Sequence, residues 1–177
     1  MTRMIWLGVA LAALAALALV LSRQNVGPVH AAAMPAVTVS VEHAGPRQVE
    51  DTTQRAVTRD YAAAWQAMAD ALDENRADLL GGNFIGAADR RLAATITEQR
   101  KAGLHQRLTD LGHTVDTIFY SPDGSAIELH DTAHLRLDLM DGNTVVHSQA
   151  GAVHYVALLT AAANSWKVRV LQAVPAS

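Results

Sequence analysis

The hydrophobic period of this chain changes once, at Gly103, and that change decides its fold class. Before it, Val57, Tyr61, Trp65, Met68 and Leu72 recur at spacings of four, four, three and four. Those spacings place the five side chains on one face of a helix, predicted over about residues 48–74. Phe84, Ile85, Ala88, Leu92 and Ile96 describe a second helical stretch after Gly81–Gly82, closing near Gly103. Beyond Gly103 the period is two. Residues 105–120 read as one strand, kinked at Gly112. In residues 126–140, Ile127, Leu129, Ala133, Leu135, Leu137 and Leu139 face one way and Glu128, His130, Thr132, His134, Arg136 and Asp138 the other. Ser121-Pro122-Asp123-Gly124 and Asp141-Gly142-Asn143 are turn signals. Residues 144–160 and 165–174 supply two more strands. Helices first and strands after imply an α+β domain: two or three helices over the apolar face of an antiparallel sheet of about four strands.

The other strong signal is an address. Residues 4–21, MIWLGVALAALAALALVL, form an uncharged apolar run behind Arg3. Its 18 residues make about 27 Å of helix, just short of a hydrocarbon core. Gly27–Pro28 breaks any helix there, and Val29-His30-Ala31 and Ala31-Ala32-Ala33 both resemble cleavage sites. Residues 1–33 are therefore a signal peptide or a single membrane anchor. Residues 34–47 hold two prolines and read as an extended linker, although Val37, Val39 and Val41 also alternate as a short strand would. The globular domain is expected over 48–177. No later segment is apolar and long enough to cross a bilayer as a helix, so the arrangement does not suit a transporter or channel.

Composition narrows the function classes. Arg3 and Arg23 lie in the leader, which leaves 12 of the 14 Lys and Arg against all 17 Asp and Glu. A mildly acidic domain is a poor nucleic-acid binder. The absence of cysteine excludes disulfides, thiolate metal sites, c-type haem attachment and thiol catalysis. No phosphate-binding glycine loop and no Gly-x-Ser-x-Gly occurs. Nothing calls for a cofactor.

The order of elements carries a resemblance. A long first helix with an aromatic stripe leads into a shorter helix, an Arg-rich stretch ending at Gly103-Leu104, and a meander closing on Ser165-Trp166-Lys167-Val168. Over about residues 48–174 this resembles the nuclear transport factor 2-like superfamily of cone-shaped α+β domains. The resemblance implies a curved sheet with the helices, and any pocket, on its concave face. It implies no particular activity, because enzymes, binding modules and anchored accessory domains share that fold.

Chemistry is sought where the alternation fails. Asp131 stands on the apolar face between Leu129 and Ala133, and a carboxylate buried there must find a partner or take up a proton. An even-length turn after Met140 brings His154 opposite or diagonal to Asp131. The pair is then either an acid/base couple, with Tyr61 or Trp65 supplying a hydroxyl or a wall, or a buried structural contact that fixes register. Tyr61, Trp65, Asp131, His154 and Trp166 are the candidate pocket residues. On the opposite face Glu128, His130, His134, Asp138 and His147 read as a solvated strand face rather than a metal site, since His130 and His134 are about 13 Å apart on an extended strand.

These readings converge on an exported, membrane-tethered or released, noncatalytic binding module of the bacterial cell envelope. Its expected partners are the membrane through residues 4–21 if the leader is retained, and an envelope protein or a small apolar ligand. No nucleic acid is expected, and a monomer is favoured because the charged outer face suits no dry interface. The alternative is a small-molecule isomerase or cyclase using Asp131 and His154 as acid and base.

Overall fold

The computed structural model describes residues 35–175. The apolar run at 4–21 and its cleavage sites lie outside them. Helix α1 spans Asp51–Asp73 and buries Val57, Tyr61, Trp65, Met68 and Leu72, the stripe read from the sequence, together with Ala62, Ala64 and Ala71. Small alanines between the large side chains let the helix lie close to the sheet. Asp51 in its first turn suits the positive end of the helix dipole. At the other end Gln99 donates to the Leu72 carbonyl at 2.6 Å, satisfying one of the acceptors that a helix terminus leaves open. A 3₁₀ turn at Ala77–Leu80 then leads to helix α2, Gly86–Lys101, which buries Ala88, Ile96 and Gln99. Gly103 follows its end at φ +73°, a conformation that glycine adopts without strain.

The sheet has six strands rather than about four. They are β1 (Val37–Ser40), β2 (Gly45–Pro46), β3 (Leu104–Tyr120), β4 (Ala126–Asp141), β5 (Thr144–Ala162) and β6 (Ser165–Val174). The last four form the expected antiparallel meander. The two additional strands come from the segment expected as a linker. β1 pairs parallel to β3, with Val37 opposite His113 and Val39 opposite Val115, and β2 pairs with the end of β3. Their backbone groups would otherwise face an open strand edge.

The helices cover one face of this curved sheet. Ile127, Leu129, Asp131, Ala133 and Leu135 of β4 are all buried beneath them, as the alternation requires. The core runs from Trp65, Met68 and Leu72 through these residues to Leu159, Trp166 and Val168. Phe119 is not part of it. A register shift between Thr117 and Phe119 leaves Ile118 and Phe119 each 38% exposed. Among the described residues no helix is long and apolar enough to cross a membrane.

Candidate functional site

Asp131 is buried, and its Oδ2 is the centre of a polar group inside the core. The Tyr61 hydroxyl donates to it at 2.8 Å, and His113 Nδ1 lies 2.8 Å from the same oxygen. The other ring nitrogen of His113 lies 2.6 Å from Asp110 Oδ2. With a carboxylate on each nitrogen the imidazole is held as the cation, donating at both ends. Burial on its own would push the His113 pKa down. The hydrogen bonds to Asp110 and Asp131, and the charges of both, override that and lift it to about 9. Trp65 lies against the ring at 4.5 Å between centroids, close enough for its π face to favour the cation. Burial, then the Asp131 charge, raises the pKa of Tyr61 and also that of Tyr155, which faces Asp131 across the β4–β5 ladder. Both phenols stay protonated.

Local sequence builds this arrangement. Tyr61 and Trp65 are one helical turn apart on α1, so both reach the same patch of sheet. His113 follows a bulge between Asp110 and Gly112 in β3. Asp110 Oδ1 accepts the Gly112 N–H at 2.7 Å while Oδ2 takes the histidine. Gly112 sits at φ +122°, where a side chain is strained. A Gly112→Ala chain is expected to lose about 1–3 kcal/mol of stability, read as a lower urea midpoint at unchanged slope. An unchanged midpoint would mean that the bulge is dispensable.

The structure places the Tyr61 hydroxyl on Asp131 and Trp65 on the His113 ring, and it is His113 rather than His154 that meets the carboxylate. His154 points to the opposite face, where its Nδ1 and Thr132 Oγ1 share a hydrogen bond of 3.1 Å. One residue causes the difference. The β4–β5 hairpin starts with Met140 opposite Val145, a register that would continue to Asp131 opposite His154. A bulge at Val146 then places His147 opposite Leu139, so that Tyr155 faces Asp131 and His154 faces Thr132. In the next hairpin Leu159 meets Val168, Ala161 meets Trp166, and His154 lies opposite Val174. Trp166 packs edge-on against Tyr120 at 6.3 Å, and its backbone N–H donates to Asp60 Oδ2 at 2.7 Å. It is a core residue remote from the Asp131 group. His113 and Asp110 were missed from sequence. The available signal was the kink at Gly112 with an aspartate two residues before it and a histidine directly after.

The group is closed. The side chains of His113 and Asp131 are both 0% exposed, and Tyr61 is 1% exposed. Asp110 lies at its rim, with 15% of its side chain exposed. A cavity of about 340 Å³ beside β4 and β5 is lined by Thr114, Asp116, His130, Thr132 and His154, and Asp131 and Tyr155 also border it. Among the described residues no cluster of three or more His, Asp or Glu is placed to hold a metal ion.

Similarity to known proteins is structural. No protein-family model matches the sequence, and neither does any curated protein. The intermembrane space region of the chloroplast protein ARC6 superposes with a TM-score of 0.61 at 15% identity, over 74% of this chain and 100% of that one. A member of the NTF2-like family from Streptomyces avermitilis matches at a TM-score of 0.44 and 11% identity, over 68% of this chain and 97% of that one. ActVI-ORFA from Streptomyces coelicolor matches at 0.46 and 11%, over 66% and 92%. The chain shares its fold with the ARC6 intermembrane space region. At these identities the likeness extends to the fold alone.

Proposed function

We propose that this chain is a noncatalytic binding or interaction module of the bacterial cell envelope, exported by residues 4–21 and either held at the membrane or released from it. The observation that carries the reading is the closure of the Asp131 group. Catalysis needs a reacting atom within hydrogen-bond reach of the acid or base, and here Tyr61 and His113 already take Oδ2 of a fully buried Asp131 side chain, with Trp65 packed on the His113 ring. A buried, mutually hydrogen-bonded set of this kind fixes register and packing between α1, β3 and β4.

The alternative, an isomerase or cyclase, draws on one specific feature. Asp131 Oδ1 is buried without a hydrogen-bond partner, which leaves an acceptor within the core. In that reading Asp131 would work with His113 and Tyr61, and His154 would have no part.

Native mass spectrometry of the purified full chain separates the two. The module reading expects chain mass without a bound small molecule. A stoichiometric small molecule that disappears in Tyr61→Phe, with the far-ultraviolet circular dichroism unchanged, would place a ligand at the buried group and overturn the closure on which the noncatalytic reading rests. The address has its own check, a fusion to a reporter enzyme active only outside the cytoplasm. An inactive fusion rejects export.

A further inference from the structure

The register of the sheet collects a set of polar side chains over β3, β4 and β5. Thr114, Thr132, His154 and Val174 stand opposite one another in a single row across β3, β4, β5 and β6. Asp116, His130 and Val156 form the next row. Alternation with the buried Val115, Leu129 and Ala133 directs both rows away from the core. Rows two residues apart on a strand lie about 6.6 Å apart, and neighbours within a row about 5 Å, so one small molecule spans both. The cavity of about 340 Å³ forms over these rows, with Pro175 beside Val174 at its end. That volume falls within the range of small-molecule sites, roughly 300–1,000 Å³. Asp131 and Tyr155, which lie between the rows, border it as well. The Asp131 side chain is nonetheless fully buried and engaged with Tyr61 and His113, so it takes no part in a contact there.

We propose that this cavity binds a neutral saccharide of one or two rings. The chemistry of the lining decides the class. Thr114 and Thr132 carry hydroxyls that both donate and accept, and a neutral imidazole at His130 or His154 offers one of each. Thr132 Oγ1 and His154 Nδ1 share a hydrogen bond of 3.1 Å, which fixes that imidazole within its row. Asp116, half-exposed, adds a charged acceptor for neighbouring hydroxyls of a ligand. Val156, Val174 and Pro175 add an apolar wall against which the C–H face of a sugar ring packs. Other ligand classes fit worse. No lysine or arginine lines the cavity, so a phosphate or carboxylate would meet Asp116 with no cation to offset it. An ammonium ion would satisfy Asp116 but, being a donor only, would leave the Thr114 and Thr132 hydroxyl protons unanswered. A wholly apolar ligand would strip water from all of these groups without replacing it. Sugar hydroxyls, each a donor and an acceptor, answer the whole set. This inference does not rest on the noncatalytic reading, because the cavity takes nothing from the buried group. A sugar on so open a face exchanges rapidly and is lost on purification, which agrees with an unliganded chain mass.

The test uses the full chain in a polyoxyethylene detergent, which has no sugar headgroup of its own. Saturation-transfer nuclear magnetic resonance is run with maltose, cellobiose and diacetylchitobiose as neutral probes, and with citrate and tetramethylammonium as ionic ones. At least one disaccharide is expected to receive saturation, most strongly at its ring C–H protons, while neither ionic probe does. Asp116→Asn should weaken the affinity for that disaccharide about tenfold, the effect of one charge-assisted hydrogen bond. His154→Ala should weaken it severalfold. His134→Ala, on the same strand face but outside the cavity, should leave it unchanged. Circular dichroism is expected to be the same in all three variants. Amide shifts of the labelled wild-type chain give a readout that needs no variant, and on titration they should cluster at Thr114, Asp116, Thr132 and His154. A chain that transfers saturation to none of the three disaccharides overturns the proposal. So does an affinity untouched by both Asp116→Asn and His154→Ala, or shifts that cluster elsewhere, because the sugar then lies on another surface. Transfer to citrate or tetramethylammonium alone also overturns it, by making the site an ionic one.

Discussion

Asp131→Ala is expected to cost about 3–5 kcal/mol of unfolding free energy. The substitution removes one of the two carboxylates that hold the His113 cation and leaves the Tyr61 hydroxyl without its acceptor. Neither group can turn to water, because both are buried between α1 and the sheet. The imidazolium must then lose its proton or remain in the core with only Asp110 as counter-charge, and the vacated volume adds a cavity term. Asp131→Asn keeps the shape and one acceptor, and should cost less, about 1–3 kcal/mol. His113→Ala belongs with the severe class, since it leaves Asp110 and Asp131 without the cation between them and opens a hole against Trp65. The two single losses should not add. A chain carrying both Asp131→Ala and His113→Ala is expected to be more stable than the sum predicts, because each single change already forfeits the shared hydrogen bond. Urea midpoints for the four chains measure this directly. A loss under about 1 kcal/mol for Asp131→Ala, or strict additivity in the double variant, would show that the buried group is not a coupled unit.

How much of this group was legible in the sequence depends on the range of the signal. The burial of Asp131 was readable because alternation along one strand is local: with Leu129 and Ala133 facing the core, the residue midway between them must face it too. Its contact with Tyr61 was readable for a related reason, since the α1 stripe has to cover that face. The identity of its histidine was not. That depended on register across a hairpin, and a bulge of one residue at Val146 exchanges the face that His154 presents while leaving the turn itself as expected. No residue at that bulge marks it, neither glycine nor proline, so the local pattern gave no warning. The bulge at Gly112 did have its mark, but a glycine in a strand shows only that the backbone bends there, not which side chain it redirects. β1 was legible only as the alternative to a linker, from the alternation of Val37, Val39 and Val41, and for another reason. It is four residues long and pairs parallel to a strand more than sixty residues later in the chain, a contact that no local periodicity reports. What local pattern decides was therefore legible: helix faces, strand faces and turns. What long-range pairing decides was not, and the histidine belongs to the second kind.

The same group should give this protein an unusual stability profile on the alkaline side. His113 titrates at about 9 in the folded chain against an ordinary value of 6.5. The folded state therefore holds the proton more tightly than the unfolded state, and the contribution is fully present below pH 6.5. It is lost progressively as the pH rises from 6.5 to about 9, because over that window the unfolded chain is already deprotonated while the folded chain must release its proton. Above about 9 nothing of it remains. The gap between the two values corresponds to a loss on the order of 3 kcal/mol across the window. The groups facing the ring do not confuse the reading. Tyr61 and Tyr155 are pushed further above the window by burial and by Asp131. The surface carboxylates with a directional shift, Glu50, Asp78 and Asp123, are all lowered, so their contributions change only in acid. The urea midpoint of the wild-type chain should accordingly fall between pH 6.5 and 9, whereas that of His113→Gln should start lower and vary much less over the same range. A wild-type midpoint that is level or rises through this window would mean that the ring is neutral in the fold. One of the two contacts, at 2.6 and 2.8 Å from its nitrogens, would then lack its imidazole donor, because a neutral ring has only one N–H to offer.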